Sequence, residues 1–278
     1  MNECRAILHV VERSAEAVLF LEKACGIAQG FDARMELFYC DAERSYWLDH
    51  AWDQSGVIDA KRSLIEDATG YLRQLLSAVD TRGVTVTVDA RCQAPLYDGV
   101  LAKLRDSPAD LVIKGFSTNT LPKASANDWN LIRACPVPLL LLQTRRWRPE
   151  PAIAAAVDVS QRETPGLPRR VVAAAARLGS ACRGRVDVLH ARRDTDAADA
   201  RAALQRLAGE HGLPAQNVAV LAGEPETTLI EHVRDKGYDV LVLGALAHQP
   251  GIAAMVGSLT DRLIQQLDCD FLLLHAPG

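Results

Sequence analysis

Asp239-Val-Leu-Val-Leu-Gly244 opens the stretch that decides the fold, and Cys269-Asp-Phe-Leu-Leu-Leu274 closes it. Each is an apolar run of strand length, and a strand that is apolar at successive positions is buried on both faces. Between them lie a loop over 245–254 with Pro250-Gly251 in its middle, and Gly257-Ser258-Leu-Thr260-Asp-Arg-Leu-Ile264-Gln-Gln-Leu267, which reads as a helix and its start. Strand, glycine, loop, Gly-Ser, helix is a device that holds an anion. Backbone N–H groups at a helix N-terminus have no partner of their own, and the peptide dipoles favour negative charge there. Glycine lets backbone approach a ligand closely, and a serine such as Ser258 can cap the helix or donate to a phosphate oxygen.

Working back from this stretch, the same pattern occurs twice. Asp239 to Gly244 lines up on Asp110-Leu-Val-Ile-Lys-Gly115, and Cys269-Asp-Phe-Leu-Leu-Leu on Cys135-Pro-Val-Pro-Leu-Leu. Ala152-Ile-Ala-Ala-Ala-Val-Asp158-Val-Ser160 lines up without gaps on Ala6-Ile-Leu-His-Val-Val-Glu12-Arg-Ser14. Between these anchors, strands are predicted at 35–40, 84–90 and 137–142, and again at 185–190 and 217–221. Helices are predicted at 16–29, 57–79, 97–105, 127–134, 168–182 and 197–211. The long one, 57–79, carries Ile58, Ile65, Ala68, Leu72, Leu75 and Val79 on one face. A repeat of half the chain is a tandem of domains rather than a solenoid unit. The division falls at a charged, proline-bearing linker over 144–151, giving one domain at 1–146 and another at 147–278. Alternating helices and doubly buried strands predict parallel sheets covered by helices on both sides.

Composition limits the function. Of 278 residues, 31 are Lys or Arg and 35 are Asp or Glu, for a net charge of −4. The halves share it evenly, and no block of basic residues marks a nucleic-acid partner. The apolar runs are too short to span a membrane. Seven scattered cysteines without a Cys-x-x-Cys read as reduced thiols in a cytoplasmic protein. Gly-x-Ser-x-Gly and the P-loop are absent, so little supports turnover beyond slow ATP hydrolysis. Cys40, Asp49, His50 and Asp53 fit no standard zinc spacing, and no metal is expected. The aromatic stretch 41–54, with Tyr46, Trp47 and Trp52, is read as packing a loop against its own domain or a partner, or as covering an apolar ligand.

Gly244, Ala247, Gly257 and Ser258 resemble the Gly-x2-Gly-x9-Gly-Ser/Thr series of nucleotide-binding universal stress protein domains, with one glycine replaced by alanine. The whole chain resembles the tandem type of that family. Ala156-Val157-Asp158 matches the family's first strand ending in Asp, and Gly223-Glu224-Pro225 its Gly-x-Pro after the third strand. The first half departs at each place, with Glu12, Gln93-Ala94-Pro95 and Lys123-Ala124, and resembles a degenerate domain. The resemblance implies an α/β fold of two tandem doubly wound parallel five-stranded sheets, adenine nucleotide alpha hydrolase-like. Each sheet would have strand order 3-2-1-4-5, and a pseudo-twofold would relate the halves. Their last strands would pair within the chain, as family domains pair in a homodimer.

Ligands in doubly wound sheets sit where the strand order reverses. By resemblance, ATP or AMP would lie in the second half, with Asp158 on the ribose or adenine side. Ala191 and Gly223 would line the adenine pocket, and Gly244, Ala247, Gly257, Ser258 and Thr260 would stand at the phosphates. In the first half Glu12 would reach into the ribose space, Asp128 would repel phosphate and Trp129 would fill the cavity. The alternative is an interaction module or apolar-ligand carrier that binds no nucleotide. An adenylating enzyme is the weakest reading, because no second substrate constellation is present.

Overall fold

The apolar runs pair into one continuous sheet. The structure, a computed structural model, describes residues 4–52, 56–116, 124–159, 165–193, 198–245 and 258–275. In the first half the strands are β1 (Ala6–Val11), β2 (Arg34–Cys40), β3 (Val86–Arg91), β4 (Leu111–Gly115) and β5 (Leu139–Leu142). Its helices are α1 (Ala17–Phe31), α2 (Ala42–Asp49), α3 (Val57–Ser77), α4 (Leu96–Asp106) and α5 (Ala126–Ala134). The second half supplies strands β6 (Ala152–Ala156), β7 (Arg185–Arg192), β8 (Val218–Ala222), β9 (Val240–Gly244) and β10 (Asp270–Leu274). Its helices are α6 (Leu167–Cys182), α7 (Ala198–Gly209), α8 (Pro225–Lys236) and α9 (Ser258–Gln266).

The strand order is β3-β2-β1-β4-β5-β10-β9-β6-β7-β8. Each half is therefore 3-2-1-4-5, all parallel, and the halves meet edge to edge. The seam is antiparallel, with Phe271 opposite Leu141, Leu272 opposite Leu140 and Leu273 opposite Leu139. A pseudo-twofold at this pair relates the two sheets. The repeat extends to side chains. Asp110 and Asp239, one residue before β4 and β9, accept from the N–H groups that open β1 and β6: Ala6 N to Asp110 Oδ2 at 2.9 Å, and Ala152 N to Asp239 Oδ2 at 2.8 Å.

The four leucines of β5 and Phe271 to Leu274 are all buried. Because strand residues alternate faces, Leu140, Leu142, Leu272 and Leu274 join the core layer under α1 and α6. Leu139, Leu141, Phe271 and Leu273 join the layer under α4, α5, α8 and α9. Each layer runs unbroken across both halves. Burying a leucine fully contributes roughly 1.5–3 kcal/mol, so the seam is a large share of what holds the halves together. Over the seam, α1 and α6 cross so closely that a Cβ on Gly30 would lie 2.2 Å from the Ala181 carbonyl oxygen. Only glycine permits that approach.

Three features differ from the sequence expectations. The aromatic stretch is partly helical: Asp41 caps α2, accepting from Arg44 N at 3.2 Å. Helix α8 has no counterpart among the predicted helices, although Pro225 at its first turn and left-handed Gly237 at its end are ordinary start and stop signals. The apolar face of α3 is buried only at Ala68, Leu72 and Leu75, while Ile58 is 76% exposed. The residues of α3 that are buried all lie from Ala68 onward, in its C-terminal half. No helix among the described residues is long and apolar enough to cross a membrane.

Candidate functional site

Strand order reverses between β6 and β9, neighbours in the sheet with Ala156 opposite Leu243. β6 ends at Ala156, two residues before Asp158, and its neighbour β9 ends at Gly244. Behind Asp158 stands His190, buried near the end of β7. Its Nδ1 lies 3.0 Å from the Val157 carbonyl oxygen and 3.7 Å from Asp158 Oδ1. Facing a carbonyl, Nδ1 must carry the proton and donate it, which fixes the turn that presents the carboxylate. This histidine was not among the predicted site residues, since nothing in the sequence pairs it with Val157. Next along β7 comes Ala191, in register with Leu221 of β8.

Gly223 follows β8 at φ +142°, a region open to glycine and few others, and its N–H donates to the Arg192 carbonyl at 2.8 Å. An added Cβ would meet Thr228 Oγ1 at 2.4 Å. Across the loops after β7 and β8, Arg193 grips Glu224 with two bonds, 2.6 and 2.9 Å. Gly223→Ala is expected to cost about 1–3 kcal/mol through the disfavoured φ and the contact. Adding Thr228→Ala should return part of it, because the Thr228 Oγ1 contact is then gone. Urea unfolding of the single and double variants measures both effects.

On the far side, Gly244 pairs with Leu274, and the Ala245 N–H donates to the Leu274 carbonyl at 2.7 Å. Ser258 is the first described residue of α9, and Thr260, within its first turn, is buried. Ala247 and Gly257 lie outside the described residues.

The corresponding crevice of the first half is filled by its own charges. Lys114 of β4 stands where β9 has Leu243. Its side chain is 2% exposed, and its ammonium pairs with Glu12 and, at 2.8 Å, with Asp128 Oδ1. Burial works against the ammonium, but Glu12 and Asp128 outweigh it and raise the pKa above the ordinary lysine value. Asp128 also completes a capping box on α5, accepting from Ser125 N at 2.7 Å while Ser125 Oγ accepts from Asp128 N. The expectation for Asp128 and Glu12 is thus refined: both carboxylates are held by Lys114 rather than standing as bare negative charge. Cys40, at the position of Ala191, donates Sγ–H to the Gln93 carbonyl at 3.1 Å. The ring of Phe20 lies against Gly115. Asp49 pairs with Lys61 and His50 Nδ1 faces the Tyr46 carbonyl, so Cys40, Asp49 and His50 serve separate contacts. Asp53 lies outside the described residues.

Two doubly wound α/β domains, fused through their last strands, define the class of this protein. Residues 153–275 match the model of the Universal stress protein family. Along its whole length the chain is 19% identical to Universal stress protein E of Photorhabdus laumondii, covering 97% of that protein. A universal stress protein from Archaeoglobus fulgidus superposes over 97% of this chain and 98% of its own, with a TM-score of 0.75 at 14% identity. A functionally unknown protein from Pseudomonas aeruginosa PAO1 superposes over 98% and 92%, with a TM-score of 0.73 at 22% identity. Both likenesses are of fold, and both cover the tandem.

Proposed function

We propose that this chain is a stress-response binding protein whose second half takes one adenine nucleotide, ATP or AMP, at the β6–β9 crevice. One observation carries the reading: among the described residues the two halves match strand for strand, and the residues at their strand ends differ. In the first, Lys114 is one cation held between two carboxylates, Glu12 and Asp128. At the place of Lys114 the second has Leu243, which carries no charge. A carboxylate at Asp158, oriented through His190, suits the ribose hydroxyls. Gly223 and Ala191 leave room for a flat base between the strand ends, and a helix N-terminus suits the phosphates.

Calorimetric titration of the full chain with ATP and with AMP tests it. One site per chain is expected, weakened at least tenfold by Asp158→Ala or Gly257→Val and unaffected by Glu12→Ala. Two equal sites, or one that Gly257→Val leaves intact, would refute the assignment. A chain that gives no heat with either nucleotide belongs to the second reading, an interaction module. That reading draws on the apolar side chains displayed by α2 and α3, where Trp47 is 67% exposed.

A further inference from the structure

Where α1 of the first half crosses α6 of the second, a groove of about 750 Å³ lies beside the linker. That volume is in the range of small-molecule sites. Its lining includes five cationic side chains, Lys23, Arg82, Arg146, Arg148 and Arg183, and one carboxylate, Glu22, in a chain whose net charge is −4. Three of the five cations have partners. Lys23 is paired with Asp270, Arg146 with Glu22 and Arg148 with Asp239. Among the described residues, neither Arg82 nor Arg183 has a carboxylate within ion-pair distance.

These two arginines share a second property. Three non-glycine residues of the described chain have positive φ, and two of them are Arg82 and Arg183, each at 55°. Arg183 sits in the left-handed position that ends α6, where glycine is the favoured residue, and it is followed by Gly184. Arg82 precedes left-handed Gly83 in the turn after α3. Its guanidinium lies over Gly26 of α1, whose missing side chain leaves room for it; a Cβ there would be 3.5 Å from Nη1. At both places an arginine is held in a conformation that works against it, and both point to the same groove. A helix C-terminus welcomes a cation, which accounts for a basic residue near the end of α6 but not for one in the left-handed position. Local strain of this kind is a sign of a role outside folding.

We propose that this groove binds a small, multiply charged phosphate anion, held by Arg82 and Arg183. Guanidinium matches phosphate oxygens with paired, charge-assisted bonds. The already neutralised Lys23, Arg146 and Arg148 supply a polar wall rather than the binding charge. The site is independent of the nucleotide crevice, because it is built from α1, the turn after α3, the C-terminal end of α6 and the linker.

The probe is inorganic tripolyphosphate, titrated into the full chain at low and at moderate salt. One binding event is expected at the groove, weakening with salt as exposed ion pairs do. Arg82→Gly/Arg183→Gly should weaken it about 100-fold, two charge-assisted contacts at about tenfold each, while the midpoint of thermal unfolding stays level or rises. The rise follows because glycine relieves the left-handed conformation. Arg82→Gln/Arg183→Gln, which keeps side-chain length and removes charge, should weaken it similarly. Gly257→Val should leave the event in place, and the double glycine variant should keep its ATP site. Three results would overturn the proposal: no event in the parent chain at low salt, an event the arginine variants leave unchanged, or one that Gly257→Val removes.

Discussion

Lys114→Met is expected to lower the stability of this chain by about 3–5 kcal/mol, the usual cost of removing one partner from a buried ion pair. The size follows from what is left behind. Asp128 is 5% exposed at its side chain, and its Oδ1 faces Lys114 at 2.8 Å. The capping box with Ser125 holds it there, so it cannot turn to water. Glu12 is half-exposed and can rotate out, so Glu12→Gln should cost no more than about 1 kcal/mol, in the range of an exposed pair. Lys114→Met with Asp128→Asn should recover much of the loss, because the stranded charge is gone while the contact to Ser125 can persist. The raised pKa of Lys114 sets the pH window. Its contribution is full below the unfolded lysine value near 10.5 and is lost as pH rises through the higher folded value. Equal small losses in all these variants, read by urea unfolding, would show that the crevice is not held by this triad.

Lys23→Met is expected to have the next largest effect, about 3 kcal/mol at pH 8 and clearly less at pH 5. Lys23 reaches from α1 to Asp270 at the start of β10, with side chains 7% and 1% exposed. Lys23 Nζ also donates to the carbonyls of Gln143 and Arg145. Asp270 accepts from Gln143 N and from the indole of Trp147, each at 2.7 Å. One carboxylate thus ties together α1, the linker and the seam. Burial pushes its pKa up to about 6, opposed by Lys23, the Gln143 N–H and Trp147. A carboxyl whose folded pKa lies above its unfolded value is most favourable when protonated. Its contribution is therefore lost as pH rises, for Asp270 between about 4 and 6. Removing Lys23 carries the upper end of that window higher. The deficit of the variant should therefore grow from pH 5 to pH 8, and a deficit that shrinks over this range would count against the account.

The fold was legible in the sequence because its signals are local and repeated. The match of Asp239–Gly244 to Asp110–Gly115 places two strands, and the structure adds that both aspartates do the same job for the neighbouring strand. The pairing of β5 with β10 was expected from the family resemblance, with the all-apolar runs Leu139–Leu142 and Phe271–Leu274 as the strands named for it. Helix α8 was missed although Pro225 and Gly237 mark its ends. The inward placement of Ile58 failed because periodicity reports which residues share a face, not whether a core lies beneath it. The site was less legible. Asp158, Ala191, Gly223 and Gly244 were named through the family resemblance, and all four lie at or near strand ends. His190 was not, since its partner is thirty-three residues away. Lys114 reads as one polar residue in an apolar strand, and only the sheet order brings Glu12 and Asp128 to it.

The antiparallel seam has a consequence for how the two halves can differ. Two identical chains joined through the same strands would receive every substitution twice, so a lysine closing one crevice would close both. Here the seam lies within a single polypeptide. Dilution cannot part the halves, because their association does not depend on concentration. Each crevice can then change while its neighbour stays as it was. The covalent linker turns a symmetric scaffold into one with two separately inherited faces, one sealed by Lys114 and the other left to its strand ends.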